Sequence, residues 1–374
     1  MKVLYLVPDD AFFWSHRRAL AAAVLEAGCE VVVATPDGPC RDRIEAEGFT
    51  FRAVPMPRSL RPLDLARTVR AIVALYRAEQ PDLVHHISMR AILGGGLAAR
   101  ITRVPAVVNL VTGLGWVFSS GPRLLRWMVR LAYRLCLDDR ASWTVFQNPD
   151  DRDEFVAQRL VSAERSSVIL GSGVDPRRFR PEPEPEGTPS VLLAARMLQA
   201  KGVADLVEAG RLLRADGIEH RIVLAGRPDE RNPGSIPAGQ LEAWNDEGVV
   251  HYVGHCEDVA SLLGDCHVAC LPSYYREGVP KFLLEAMAAG RPIVTTDTPG
   301  CRELVPAGAT SGRLVAPRSP REIANALGEL LSDSESRRRM GRTARELAEE
   351  RFTEDAVIEQ TFGVYSAVTG AEWQ

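Results

Sequence analysis

The sequence predicts an α/β protein built of two doubly wound domains. Three observations carry that reading. Short β-branched runs alternate with helical stretches, the pattern of parallel strands joined by crossover helices. The alternation occurs twice. Between the two passes lies a break at Gly171-Ser172-Gly173-Val174-Asp175, followed by the stiff, charged, non-helical run Pro181-Glu182-Pro183-Glu184-Pro185-Glu186. The 374 residues also suffice for two domains of ordinary size. The predicted domains are 1–172, with a C-terminal helix at 355–374 packing back on it, and 173–354. In such folds ligands bind outside the carboxyl ends of the strands, so the expected site is a cleft to which both sheets contribute.

In the first domain Val3-Leu4-Tyr5-Leu6-Val7 opens the sheet, and further strands are expected at 30–34, 50–54, 82–86, 106–110 and 143–146. Helices are expected near 16–27, 40–47, 63–79, 91–102, 122–137 and 150–158. The second pattern begins at Val191-Leu192-Leu193-Ala194-Ala195. Its later strands are Ile222–Ala225, Val249–Tyr252, Val268–Leu271 and Pro292–Thr295. The last ~20 residues read as a further amphipathic helix.

Composition narrows the class. An apolar fraction of 46% and a charged fraction of 25% are those of a soluble globular protein. A net charge of −4 argues against a general nucleic-acid binder. The charge is uneven: residues 1–170 hold 22 Lys and Arg against 18 Asp and Glu, and the remainder 23 against 31. The basic half is the better fit for an anionic partner. Seven scattered cysteines without a C-x-x-C point to free thiols in a reducing compartment. No run of ~18 apolar residues is present, and Met1-Lys2 leads straight into a strand without a signal-peptide layout. The expected location is cytoplasmic.

The most informative segment runs from Ser273 to Gly290. It reads as a loop that turns into a helix. Gly278 and Pro280 mark the turn, and proline is favoured at the first helical position because its missing N–H would be unpaired there. Leu283, Leu284, Met287 and Ala288 give the apolar face, and Gly290 is a natural C-cap. Glu277 lies in the loop and Glu285 in the helix, with five residues from Pro280 spanning on the order of 7 Å along the axis. Between the two glutamates sits a helix N-terminus, a ready anion site. Two carboxylates flanking such a site suit two polyols joined by a diphosphate, the shape of a nucleotide sugar. Upstream, Arg196 ends the first strand of the second domain and Lys201-Gly202 precede the helix Val203–Leu213. Cations at a strand end and a helix start suit a diphosphate. Of only three lysines, Lys201 and Lys281 both fall at expected phosphate positions. Arg227, after the next strand, is a third candidate cation.

At these residues the chain resembles family 4 of the retaining glycosyltransferases, which have the GT-B fold. The resemblance covers nearly the whole length. It rests on Arg196…Lys201-Gly202, Tyr252-Val253-Gly254, Leu271-Pro272-Ser273-Tyr274, and Glu277-Gly278-Val279-Pro280…Glu285-Ala286-Met287-Ala288-Ala289-Gly290-Arg291-Pro292-Ile293-Val294. The family's Glu-x7-Glu signature matches Glu277 and Glu285. The resemblance implies that Glu277 contacts donor-sugar hydroxyls and Glu285 the ribose, while Arg196 and Lys201 hold the diphosphate. It places the backbone of Gly278, Val279, Pro280, Lys281 and Phe282 along sugar and phosphate, and His255 beside the nucleobase. It implies UDP as the nucleotide, transfer of a hexose or N-acetylhexosamine, and no metal or other cofactor.

The first domain resembles a narrower branch through Phe13-Trp14-Ser15-His16-Arg17, His85-His86, Val111-Thr112-Gly113-Leu114-Gly115-Trp116 and Phe146-Gln147-Asn148. That branch comprises bacterial enzymes that extend sugars on polyprenyl diphosphates for surface polysaccharides or glycoproteins. The implied acceptor is a polyprenyl-diphosphate-linked sugar at the inner face of the cell membrane. His16, at an expected helix start, together with Arg17, Thr112, Gly113 and Asn148, are the acceptor-side candidates. Where many relatives carry a Gly-Gly turn after the first strand, this chain has Pro8-Asp9-Asp10-Ala11-Phe12-Phe13, and Thr112-Gly113 stand where several place a histidine.

Asp151-Arg152-Asp153 imitates the Asp-x-Asp metal motif of the other glycosyltransferase fold. Asn148-Pro149-Asp150 before it instead reads as a helix N-cap and first turn, where acids favour the dipole. In 122–137, Arg123, Arg126, Arg130 and Arg134 recur at helical spacing among apolar residues, a pattern suited either to peripheral contact with an anionic membrane or to an ordinary solvated face. Two other functions fit the same motifs: an epimerase or phosphorylase of GT-B type, and a non-catalytic partner that binds nucleotide sugars. A dinucleotide oxidoreductase does not fit, since no G-x-G-x-x-G follows a predicted strand.

Overall fold

The computed structural model describes residues 1–57, 61–113, 123–137, 141–308 and 310–373; for Pro62 and residues 123–128 it describes the backbone alone. The chain divides into two compact units, Met1–Ser172 with Glu354–Gln374, and Gly173–Thr353.

In unit 1 the strands are β1 (Lys2–Leu6), β2 (Glu30–Thr35), β3 (Thr50–Ala53), β4 (Leu83–Ile87), β5 (Ala106–Val111), β6 (Ser142–Phe146) and β7 (Ser166–Val168). Among the described residues they form one sheet in the order β3-β2-β1-β4-β5-β6-β7, and every pairing is parallel. A parallel sheet needs both faces covered, which is why its inner strands read as unbroken apolar runs. The crossover helices are α1 (Asp10–His16), α2 (Arg18–Glu26), α3 (Arg41–Ala46), α4 (Pro62–Glu79), α5 (Ser88–Thr102), α6 (Arg123–Leu137) and α7 (Pro149–Ala157). The C-terminal helix α14 (Glu354–Thr369) also belongs here, and Val357, Phe362, Val364 and Tyr365 join the core formed with β1, α1 and α2. It ends at Gly370, whose φ of +71° stops the helix short of the chain end.

The expected helix 16–27 is α2, which begins at Arg18, and a separate helix, α1, precedes it. Asp9 caps α1 through a side-chain bond to the Phe12 N–H, and the chain breaks at Arg17, with φ −131°, before α2. His16 is therefore the last residue of α1 and not a helix start. The short strand β7 has no alternating pattern to betray it.

Unit 2 carries β8 (Ser190–Ala194), β9 (Arg221–Ala225), β10 (His251–Gly254), β11 (Val268–Leu271), β12 (Ile293–Thr296) and β13 (Gly312–Val315), in the order β10-β9-β8-β11-β12-β13. Among the described residues every pairing between these strands is parallel. Its helices are α8 (Val203–Ala215), α9 (Ala238–Asp246), α10 (Val259–Gly264), α11 (Lys281–Ala288), α12 (Pro320–Ser332) and α13 (Ser334–Arg351). β10 starts two residues later than expected: Val249 and Val250 are buried, but pairing with β9 begins at His251 opposite Val223.

The Pro-Glu run 181–186 is non-helical, as expected, and it is docked on unit 2 through Glu184 and the carbonyls of Pro183 and Pro185. Glu184 forms a two-pronged ion pair with Arg337 of α13, at 3.0 and 3.1 Å, with side-chain exposures of 10% and 6%. The Pro183 carbonyl accepts from Arg291, and the Pro185 carbonyl accepts from His267 Nε2 at 3.0 Å. The segment is a strap across the second sheet's own helices.

Candidate functional site

In unit 2 the chain winds from β8 outward through β9 to β10, then returns to β11 on the other side of β8. The carboxyl ends of β8 and β11 therefore flank the point where winding reverses, the place where open α/β sheets bind ligands. The loop after β8 carries Arg196 and Lys201. The loop after β11 carries Ser273 and Glu277. Lys201 Nζ meets Glu277 Oε1 at 2.5 Å, with side-chain exposures of 16% and 12%. The hydroxyl of Ser273, itself fully buried, lies 2.8 Å from the same carboxylate oxygen and 3.1 Å from the Ala200 carbonyl. The Tyr274 N–H also donates to Ala200 O, at 3.0 Å. Behind them Thr296 and Thr298, from the end of β12, donate to the Ser273 carbonyl.

Two glycines let these loops close together. Gly202 has φ +74°, and a Cβ there would stand 2.1 Å from the Pro272 carbonyl oxygen. Gly300 has φ +82°, and a Cβ there would stand 1.4 Å from the Gly278 oxygen. Any side chain at Gly300 must push the Glu277–Gly278 turn aside.

Pro280 is the N-cap residue of α11, one position before the helix proper, and Gly290 follows its C-cap with φ +71°. Val279 and Phe282 are buried, while Lys281 and Glu285, four apart on one face, are half-buried. Arg196 is 60% exposed and pairs with Asp229 at 3.0 Å. Arg227 and His255 are exposed at the carboxyl ends of β9 and β10. Cys301 lies buried near Glu277, and burial, with the Glu277 charge adding, raises its thiol pKa.

Unit 1 treats its candidates differently. Its winding reverses between β1 and β4. Arg17 is 3% exposed, and its Nε and Nη2 find no hydrogen-bond partner among the described residues. Loss of hydration pulls its pKa down to about 10, against partial support from Tyr365 and Tyr5. Arg17 thus sits beneath the surface and not on it. His16 stacks on Phe12 at 4.2 Å, with Nδ1 2.7 Å from Ser15 Oγ. His85 and His86 are both buried. His85 Nδ1 lies 2.7 Å from Tyr365 Oη, and His86 bridges Tyr76 Oη at 2.8 Å and Asn109 Oδ1 at 2.9 Å. Burial drives the pKa of His85 well below its ordinary value and that of His86 to about 4. Thr112 and Gly113 are half-buried after β5, and Leu114, Gly115 and Trp116 lie outside the described residues. Asn148 is fully buried and caps α7, accepting from Asp151 N at 2.8 Å and donating to Asp151 Oδ2 at 3.1 Å. It is a structural cap, not an open acceptor contact. Asp151 is buried under that cap while Asp153 is 72% exposed, so the two do not converge. Among the described residues no cluster of His, Cys, Asp or Glu is arranged to hold a metal ion.

Two family profiles match the chain, "Glycosyl transferases group 1" over residues 174–347 and "Glycosyl transferase 4-like domain" over 14–170. The chain belongs to the family 4 glycosyltransferases. This transferase is 26% identical, over 98% of its length and 99% of the relative's, to the N,N'-diacetylbacillosaminyl-diphospho-undecaprenol alpha-1,3-N-acetylgalactosaminyltransferase of Campylobacter jejuni. It is likewise 26% identical to the putative glycosyltransferase EpsD of Bacillus subtilis, over 98% and 96% of the two chains. Its fold is GT-B. Sucrose-phosphate synthase of Thermosynechococcus elongatus superposes with a TM-score of 0.80 at 20% identity over 100% of both chains. Anabaena HepE, solved with UDP-glucose, superposes with a TM-score of 0.77 at 19% identity, covering 99% and 100%.

The structure thus brings Lys201 and Glu277 together, places Arg196, Arg227 and His255 at neighbouring strand ends, and keeps Glu285 on the partly open face of α11. Ser273 carries no functional signal in the sequence beyond its place in the run Leu271–Tyr274. A second residue without a sequence signal is Ser88, which turns β4 directly into α5 with φ +74° at the reversal point of the first sheet. A left-handed serine is uncommon and concentrates at functional turns.

Proposed function

We propose that this transferase moves a hexose or N-acetylhexosamine from a UDP-sugar to a hydroxyl of a lipid-diphosphate-linked glycan, with retention and without a metal, in bacterial surface polysaccharide or glycoconjugate synthesis. The observation that carries the donor half is the Lys201–Glu277 pair at the reversal point of the second sheet, beside the N-terminus of α11. Departure of a nucleoside diphosphate builds negative charge, which Lys201, Arg196 and the α11 amides would stabilise. Lys201 is held by Glu277. An entering diphosphate would draw the ammonium toward itself, and Ser273 would keep the freed carboxylate aimed at the sugar hydroxyls. Glu285, just over one turn into α11, would take the ribose, and His255 would flank the base. Retention follows if the acceptor hydroxyl attacks from the face the diphosphate leaves, with a departing phosphate oxygen taking its proton, so that no protein nucleophile is needed.

The acceptor half is supported by full-length similarity to the Campylobacter enzyme, whose name gives an undecaprenyl-diphosphate-linked acceptor. Peripheral contact with an anionic membrane through 122–137 fits such an acceptor. No described helix is long and apolar enough to cross a membrane. The test is a screen of UDP-, GDP- and ADP-sugars for nucleoside-diphosphate release, with and without short polyprenyl-diphosphate sugars, in EDTA. Acceptor-dependent release of UDP is the expected result. Activity abolished by EDTA and restored by Mn²⁺ would overturn the metal-free reading. Conversion of the donor to an isomer without acceptor would favour an epimerase instead.

A further inference from the structure

α5 and α6 lie side by side. They meet where Gly96 faces Cys136, so closely that a Cβ on Gly96 would stand 2.8 Å from the Cys136 Cβ, and where Arg100 donates to the Leu135 carbonyl. Four large aliphatic side chains on this helix pair stand in solvent. Leu97 and Ile101 on α5 are 44% and 50% exposed, and Leu131 and Leu135 on α6 are 47% and 57% exposed. Each pair is spaced four residues apart, on successive turns of one helix face.

Within the two helices the charge has one sign. Neither α5 nor α6 contains an aspartate or glutamate, although the chain as a whole is acidic. Arg100 and Arg134 are exposed within the helices, and Arg103 is exposed at the α5 C-cap. Solvated helix faces ordinarily mix signs. A helix pair whose described residues combine exposed aliphatics with cations alone asks for a partner both apolar and anionic. A second copy of the same face would set arginine against arginine. An anionic lipid surface meets both demands: its acyl boundary accepts the leucines and its phosphates accept the guanidiniums.

We propose that the outer face of α5 and α6 seats this protein on an anionic phospholipid bilayer. Leu97, Ile101, Leu131 and Leu135 enter the interface, Arg100, Arg103 and Arg134 meet lipid phosphates, and the two helix axes lie along the membrane plane. This deepens the membrane contact proposed above by naming its surface, half of which comes from a helix outside 122–137, and its biological sense rests on that reading.

The test is co-sedimentation of the full chain with vesicles of phosphatidylcholine alone or enriched in phosphatidylglycerol. Binding is expected to the anionic vesicles at low salt and to weaken severalfold as salt rises. Leu97→Glu/Leu131→Glu should lower the partition by about tenfold or more. Arg100→Glu/Arg134→Glu should weaken binding and flatten its salt dependence. Leu314→Glu, at a 36% exposed leucine of unit 2, should change nothing. Circular dichroism melting confirms that each variant is folded. No binding to anionic vesicles at low salt, full binding by the Leu97/Leu131 variant, or a lipid-free dimer that this variant dissociates would each overturn the proposal. The assay contains neither donor nor acceptor, so loss of vesicle binding and loss of glycosyl transfer are separate results.

Discussion

Replacing Arg337 by methionine should unfasten the Pro-Glu strap. Arg337 and Glu184 are 6% and 10% exposed and share two hydrogen bonds, and Arg337 Nη1 also donates to the carbonyls of Leu330 and Leu331. The substitution takes away the buried carboxylate's two-pronged partner and leaves it only the 63% exposed Arg338, 3.5 Å away, so the cost approaches the roughly 3–5 kcal/mol of a broken buried pair. For a unit of this size, 1 kcal/mol moves the midpoint by about 2–4 °C, so unit 2 should melt on the order of 10 °C earlier. The paired substitution Glu184→Met/Arg337→Met removes both charges and should recover most of the loss, because a well-packed apolar pair often matches a buried ion pair. Urea unfolding of the full chain, followed by hydrogen exchange in peptides from α12 and α13, reads the unit concerned. If Arg337→Met costs less than about 1 kcal/mol, or if single and double variants lose the same amount, the strap is not held by this pair.

Three further outcomes are expected. Ser273→Ala should lower kcat about ten- to a hundredfold, the worth of one hydrogen bond to a charged group, while leaving the melting midpoint within a few degrees; steady-state kinetics beside a melting curve checks it. Gly300→Ala should cut activity at least tenfold, because its Cβ would overlap the Gly278 carbonyl, whereas Gly308→Ala, with nearly the same φ of +83° but open space around it, should cost only about 1 kcal/mol of stability and no activity. Stability should fall as pH drops. His86 titrates near 4 in the folded protein, below the 6.5 of an ordinary histidine, so the unfolded chain takes its proton first. Stability is fully present above pH 6.5 and declines toward pH 4, by on the order of 3 kcal/mol from His86; urea titrations at pH 7, 5.5 and 4 check the slope, and a flat or rising profile contradicts it.

Much of the fold was legible because both sheets are parallel. Strands buried on two faces must be apolar throughout, so Val3–Val7 and Val268–Leu271 announce themselves. The short strands β7 and β13 escape because Ser-Ser-Val and Gly-Arg-Leu-Val carry too few residues to show a period. The break at Arg17 follows no local signal; a buried guanidinium in the middle of an apolar helix pattern is a tertiary choice. The Pro-Glu run looks like a spacer because composition reports polarity, whereas its docking depends on Arg337, 153 residues downstream of Glu184. The donor-side residues were legible as types: a helix start between two glutamates, and a lysine just before a helix in a chain almost without lysine. Their meeting was not. Lys201 and Glu277 are 76 residues apart and join only because β8 and β11 are neighbours. Ser273 offers no pattern at all until that meeting gives its hydroxyl a carboxylate to hold.

The most direct measurement is turnover of a UDP-sugar, read as UDP release, by the wild-type chain and by Lys201→Ala and Glu277→Ala, each with its melting curve. A donor site built on this pair predicts that both variants fold and lose activity by orders of magnitude. Near-normal turnover in either folded variant would contradict it.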